Sequence, residues 1–356
     1  MCTATVAICT YNRADCLADA VRSVVAQEAP FPFEVMVIDN KSTDGTRELV
    51  AELQRELPDL RYVVEENQGL SHARNRALVE SEAEIVAYID DDAVAHAGWL
   101  TALVAAFSDP SIAVAGGRIE VFYPVGRPDW VTDSMEAFLS RYDAGDACLD
   151  VDYVVGANFA VRRETALAIG GFDVNFGFCA DALLPGEETE LCLRARRHGY
   201  RIRYTPEATV AHRANPQRLV KRVFAMRLAQ GAVAQVRMGS LKMPPLELAR
   251  AVAWCRVNAL ARRWRGERIQ AFHWDLERVQ LSATLAATLP GPAGVISRVW
   301  LCFAVGPQAL RWAVGVARAM AAGRTLGVPP LECPDHVSPS SDAPGDVSGA
   351  SNGASQ

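Results

Sequence analysis

Tyr88-Ile89-Asp90-Asp91-Asp92-Ala93 decides the fold of this 356-residue chain. Three carboxylates follow the apolar run Ile85-Val86-Ala87-Tyr88-Ile89, which reads as a buried parallel strand. In an open α/β sheet, ligand groups stand at the carboxyl ends of the strands, and this triplet would stand there. Adjacent carboxylates repel one another and stay ionised comfortably only with a cation among them; oxygen ligands suit Mg²⁺ or Mn²⁺. The plain alternative is an acidic loop capping the next helix.

Working outward, strands are expected over 3–9, 33–38, 61–64, 84–89 and 112–121, the last broken at Gly116-Gly117. Helices are expected over 16–27 (with Asp15 as N-cap), up to 56 after the turn run Asn40–Thr46, and over 70–81 and 99–107. This alternation predicts an α/β fold with a mainly parallel sheet and flanking helices. Thr10-Tyr11, Asp39 and the Asp triplet each fall just past a strand's carboxyl end. Neither a dinucleotide-binding glycine fingerprint nor a phosphate-loop motif is present. Residues 122–152 read as an irregular loop of the length used by substrate lids. A strand over 154–161, a helix over 163–169, a helix from Glu187 to about Arg197, and strands over 202–204 and 209–212 follow.

The net charge of −6 conceals a division. Residues 1–212 hold 18 Lys+Arg and 34 Asp+Glu (net −16), residues 213–325 hold 18 against 4 (net +14), and the remainder carries −4. An acidic half needs cations to hold a phosphate, whereas a basic half suits an anionic surface. Beyond Arg213 long helical patterns are expected. The apolar run 299–310, with its spaced arginines, reads equally as a helix lying on a membrane surface or as part of a subdomain packed on the first half. The Ser/Gly/Pro/Asp-rich tail from about 332 is expected to be disordered. Nine scattered cysteines without close pairs, and an N-terminus lacking secretory features, point to a reducing, cytoplasmic setting.

Val6–Arg13 (VAICTYNR), Val37–Thr46 (VIDNKSTDGT), Asn67–Asn75 (NQGLSHARN) and Tyr88–Asp92, in that order and spacing, resemble the nucleotide-sugar half of the family 2 glycosyltransferases of GT-A fold. Gly156–Arg163, Gly170–Asp173 and Gly186–Leu191 look like that family's acceptor half. The resemblance covers roughly residues 3–213. It implies a GT-A (Rossmann-like) catalytic domain over 1–215, followed by a basic helical region over 216–330 and a disordered tail over 331–356. It also implies an inverting transfer of a sugar from a nucleotide-diphosphate sugar, UDP-linked, to a hydroxyl of a polysaccharide or glycolipid acceptor, with Mn²⁺ or Mg²⁺ as cofactor. Thr10, Tyr11 and Asp39 would line the nucleotide pocket, and Arg74 would lie near the nucleotide and its phosphates. Asp92 would be a direct metal ligand, Asp90 and Asp91 would serve ribose and metal-bound water, and His212 would stand beside the metal.

The catalytic base departs from the family pattern. Where Glu-Asp is usual, this chain has Glu187-Glu188, so Glu188 takes the base position with one extra methylene and Glu187 becomes its acceptor-binding neighbour. Expected partners are the donor, a glycan or lipid-linked acceptor and an anionic membrane surface on the cytoplasmic face; no nucleic acid is expected. Two other classes stand beside this reading. A sugar nucleotidyltransferase shares the sheet and metal logic but opens with a Gly-rich basic loop, unlike Cys9–Arg13. A catalytically weak binding or scaffold protein is conceivable because of Glu188.

Overall fold

The computed structural model describes residues 3–178, 183–239 and 244–288. Its elements run in chain order as β1 (Ala4–Thr10), α1 (Leu17–Val25), β2 (Phe33–Asp39), α2 (Thr46–Glu56), β3 (Arg61–Val64), α3 (Leu70–Glu80), β4 (Ile85–Asp90), β5 (Ala93–Ala95), α4 (Trp99–Ala105), β6 (Ile112–Phe122), β7 (Leu149–Val151), β8 (Asn158–Arg162), α5 (Arg163–Ala168), β9 (Gly177–Phe178), β10 (Leu183–Leu184), α6 (Glu187–Arg197), β11 (Arg201–Arg213), α7 (Lys221–Arg237), α8 (Pro245–Trp264) and α9 (Arg268–Thr288).

One sheet runs in the order β3-β2-β1-β4-β8-β6-β11-β5, with β7 also paired to β11. β3, β2, β1 and β4 are mutually parallel, β8 is antiparallel to both of its neighbours, and β6 and β11 return to the first direction. This is the mixed α/β, mainly parallel sheet with flanking helices that the sequence predicts. Alternate residues of β4 serve opposite cores, as a two-residue period requires. Ile85, Ala87 and Ile89 pack with Leu17, Val21, Val50, Leu53 and Trp99 of α1, α2 and α4. Val86 and Tyr88 pack with Ala73, Ala77, Ala166, Leu191 and Cys192 of α3, α5 and α6.

Several local expectations need amending. α1 begins at Leu17, and Asp15 does not cap it; the Arg13 carbonyl accepts the N–H groups of Cys16 and Leu17 instead, so a backbone turn takes the cap's place. β6 runs unbroken through Gly116-Gly117. There the Ala208 carbonyl, on the bulged part of β11, would lie 1.7 Å from a Cβ at Gly117, so the glycine permits close strand approach rather than ending the strand. The late strands 202–204 and 209–212 are one bulged strand, β11. The strand expected from 154 starts only at Asn158.

The third core joins the region after His212 to the preceding loop. Phe224, Leu228 and Val233 of α7 and Leu276 and Val279 of α9 pack with Val131, Met135, Leu139 and Leu184. Trp130 makes edge contacts with Phe224 and Phe272, both at 5.5 Å between ring centroids, and the ring of His273 bonds the Trp130 carbonyl at 3.0 Å. The stretch 122–152 is therefore partly ordered, with a 3-10 segment at Asp133–Leu139. The expectations for 299–310 and for the tail lie outside the described residues.

Candidate active site

Strand register assembles the site. Thr10 pairs with Asp39, and Cys9 with Asp90, so the ends of β2, β1 and β4 form one continuous edge. Asp39 Oδ1 accepts the Ser42 N–H (2.8 Å) and Oδ2 accepts the Tyr62 hydroxyl (2.5 Å). The turn-capping role of Asp39 is thus real, and each oxygen retains a lone pair for a further donor. Thr10 is buried and Tyr11 is exposed at the mouth of a cleft of about 480 Å³.

Asp91 and Asp92 occupy the tight turn between β4 and β5. β5 pairs antiparallel with β11, setting Ala93 opposite His212, and the Asp92 carbonyl accepts the Arg213 N–H at 2.8 Å. A residue some 120 positions later is thereby fixed beside the triplet. His212 Nε2 lies 3.0 Å from Asp92 Oδ1 and 4.0 Å from Asp90 Oδ2. Arg13 pairs with Asp92 and lies 3.4 Å from Asp91 through Nε; Arg218 Nη1 is 3.8 Å from Asp92.

These cations set the charge states. Burial opposes ionisation of Asp92, yet His212, Arg13 and Arg218 hold its carboxyl well below the usual range. Asp91 is pushed up to about 7 by burial and by the charge of Asp92. Asp90 is raised by burial, with Arg74 opposing. His212 is raised because the attraction of Asp92 outweighs its burial.

One ligand atom each from Asp90, Asp92 and His212 lies within 4.8 Å of the others, close enough to surround one ion. The second nitrogen of His212, Nδ1, is 3.1 Å from the Leu139 carbonyl. That bond keeps a proton on Nδ1, so that when Nε2 gives up the proton it shares with Asp92 its lone pair faces the carboxylates, the usual arrangement behind a histidine ligand. Two carboxylates and one imidazole suit a divalent first-row or magnesium-like ion. The residues fit such an ion.

Behind the triplet lies Arg74, 2 % exposed. Its guanidinium sits 4.9 Å from the ring centroid of Phe159 and 5.7 Å from that of Phe172. Nη1 donates to Glu187 Oε1 (2.6 Å) and Nη2 to the Gly156 carbonyl (2.9 Å), while Asp90 and Glu188 stand 3.6 and 3.9 Å away. The resemblance implies a place near the donor phosphates. The side chain instead faces inward, tying Asp90 to the two glutamates. Gly156 is needed here, because a Cβ would come within 2.8 Å of Nη2.

Glu187 and Glu188 open α6, where acidic side chains complement the helix dipole. They differ in environment. Glu187 is buried in its ion pair, whereas Glu188 is 14 % exposed at the side chain and accepts the Gly156 N–H at 3.3 Å. Burial and then the neighbouring Glu187 charge push Glu188 up to about 8.

Arg13, Arg218 and Arg227 also line the cleft, and the sequence did not single them out. Arg13 stood at the end of the first quoted motif, two residues after Tyr11. Arg218 and Arg227 gave no local signal, since they arrive with α7 and the turn before it. Arg227 is lowered to about 9 by burial and by Arg218. Like charges set close together in a cleft suit an anionic ligand.

Residues 5–169 match the model of Glycosyl transferase family 2. The chain is 30 % identical over 224 residues to the glucosyl-dolichyl phosphate glucuronosyltransferase of Haloferax volcanii, spanning 58 % of this chain and 68 % of that protein. It is 29 % identical over 229 residues to the succinoglycan biosynthesis protein ExoM of Rhizobium meliloti, spanning 62 % and 71 %. Among solved structures it is similar to mannosyltransferase PcManGT of Pyrobaculum calidifontis in complex with GDP-Man and Mn²⁺, with 23 % identity, coverage of 90 % and 86 %, and a TM-score of 0.48. The family match and the two sequence relatives define a glycosyltransferase. The chain belongs to glycosyltransferase family 2.

Proposed function

We propose that this enzyme moves a sugar from a UDP-linked donor to a hydroxyl of a lipid-linked or polysaccharide acceptor, inverting the anomeric carbon. The observation that carries this reading is the chain of contacts Asp92–His212–Asp90–Arg74–Glu187–Glu188, which sets a cation-binding carboxylate group beside a carboxylate of raised pKa. The names of two relatives, one with a dolichyl phosphate sugar and one with succinoglycan biosynthesis, support the acceptor classes.

Asp92, Asp90 and His212 would hold Mn²⁺ or Mg²⁺, which when bound supplies charge stabilisation to the leaving diphosphate. Tyr11 offers a ring to the nucleobase and Asp39 a lone pair to its imide N–H. Arg13, Arg218 and Arg227 give the diphosphate cationic partners, with Asp91 set beside Arg13. Glu188 takes the acceptor hydroxyl proton as the oxygen attacks the anomeric carbon and the bond to the diphosphate breaks. Arg74 holds Glu187, and so the start of α6, against β4; it is a positioning residue. Residues 1–215 form the catalytic domain in this reading, with 216–330 as a basic helical region at the cytoplasmic membrane face.

Release of nucleoside diphosphate from a panel of nucleotide sugars, with Mn²⁺, Mg²⁺ or chelator, tests the proposal. Cation-dependent release of UDP, lost in Asp92→Ala, is expected. Tight UDP binding without turnover of any donor would instead identify a binding protein on the same fold.

A further inference from the structure

We propose that the outward face of α8 docks onto an anionic lipid bilayer. The proposal takes its purpose from the lipid-linked acceptor reading above, and it assigns the contact to a surface which that reading leaves unnamed.

α8 is apolar on two opposite sides. Leu248, Cys255 and Ala259 are buried on one side, and α8 packs against α9, which in turn packs against α7 beside the cleft. Leu246, Trp254, Val257, Leu260 and Trp264 recur at spacings of three, four or eight residues and therefore share the other side. All five are exposed, Trp254 by 63 % and Trp264 by 90 %. Among the described residues α8 packs chiefly on α9, on the opposite side. A single exposed leucine is ordinary, but five large apolar side chains along one helix face form a patch that needs a cover.

The charge around the patch selects the cover. Residues 244–270 contain six arginines and only two acids, Glu247 and Glu267. Arg262 is paired with Glu267 and Arg263 with Asp275, leaving Arg250, Arg256, Arg265 and Arg268 exposed around the tryptophans. Apolar and indole side chains with a rim of arginine match the depth profile of an anionic interface, where rings sit at headgroup level and guanidinium groups meet phosphates. No helix among the described residues is long and apolar enough to cross a membrane, so α8 would lie in the interface plane.

The test is co-sedimentation of the full chain with phosphatidylcholine vesicles, with and without phosphatidylglycerol, at low and high salt. Binding only to the anionic vesicles, weakened by salt, is expected. The double variant Trp254→Ala/Trp264→Ala should weaken binding about tenfold or more, and Arg265→Ala about fivefold. Because these side chains are exposed, the thermal midpoint and UDP release without acceptor should match the parent protein. Parent protein that stays in the supernatant, or a double variant that binds as tightly as the parent, overturns the proposal. So does a parent that sediments as a dimer, becomes monomeric in the double variant and ignores vesicles, since the cover is then a second copy. UDP release without vesicle binding sinks this inference alone; vesicle binding without turnover of any donor sinks the enzymatic reading and leaves this one standing.

Discussion

Asp92 and Glu188, at the two ends of the contacts that run through Arg74, are held in opposite states. Asp92 faces His212, Arg13 and Arg218 and stays ionised although it is almost wholly buried. Glu188 has only the distant edge of Arg74, already committed to Glu187, and is pushed up to about 8. Burial acts on both; the difference comes from the three cations that face Asp92 and from the like charge of Glu187 beside Glu188. In the proposed reaction Asp92 would hold a positive ion and Glu188 would exchange a proton near neutral pH.

Glu188→Gln removes the proton acceptor while keeping shape and is expected to lower kcat by about 10²–10⁴-fold with donor KM nearly unchanged. In the parent enzyme transfer should rise with pH through an apparent pKa near 8, because only the ionised form of Glu188 accepts a proton; a rate independent of pH through that range would separate Glu188 from the base role. Asp92→Asn should cost about 10²–10³-fold in kcat and abolish the response to Mn²⁺ titration. If Asp92→Asn and Glu188→Gln prove equivalent in metal response, the distinction between the two groups fails.

Arg74→Met tests the link itself. Removing the cation that Asp90, Glu187 and Glu188 share should destabilise the fold by about 3–5 kcal/mol, read from urea unfolding. Adding Glu187→Gln should recover part of that loss, because the uncompensated charge goes with it. The smallest effect belongs to Arg218→Ala: with Arg218 about one-third exposed, donor KM should rise about fivefold with kcat held.

The cluster at the strand ends was legible in the residues because it is local. Each of Thr10, Asp39 and Asp92 follows a strand it can be read against, and parallel pairing aligns those strand ends once the register is formed. His212 was legible as a strand-end residue, but its place beside Asp92 depends on β5 pairing with β11. Arg74 was legible as an arginine following the third strand, but its surroundings were not, since helical spacing does not say that Phe159 and Phe172, some 90 positions away, enclose it. The loop 122–152 had no readable pattern because its order comes from α7 and α9, which cover Val131, Met135 and Leu139.

The sequence by itself determined the alternation of strand and helix, the acidic triplet and the candidate base, because periodicity and residue chemistry are properties of short segments. Only the tertiary structure decided which cations face which carboxylates and that Arg74 points inward. It also decided that α8 shows an apolar side to solvent. Those outcomes depend on burial and on pairings between residues far apart in the chain, and no local pattern encodes them.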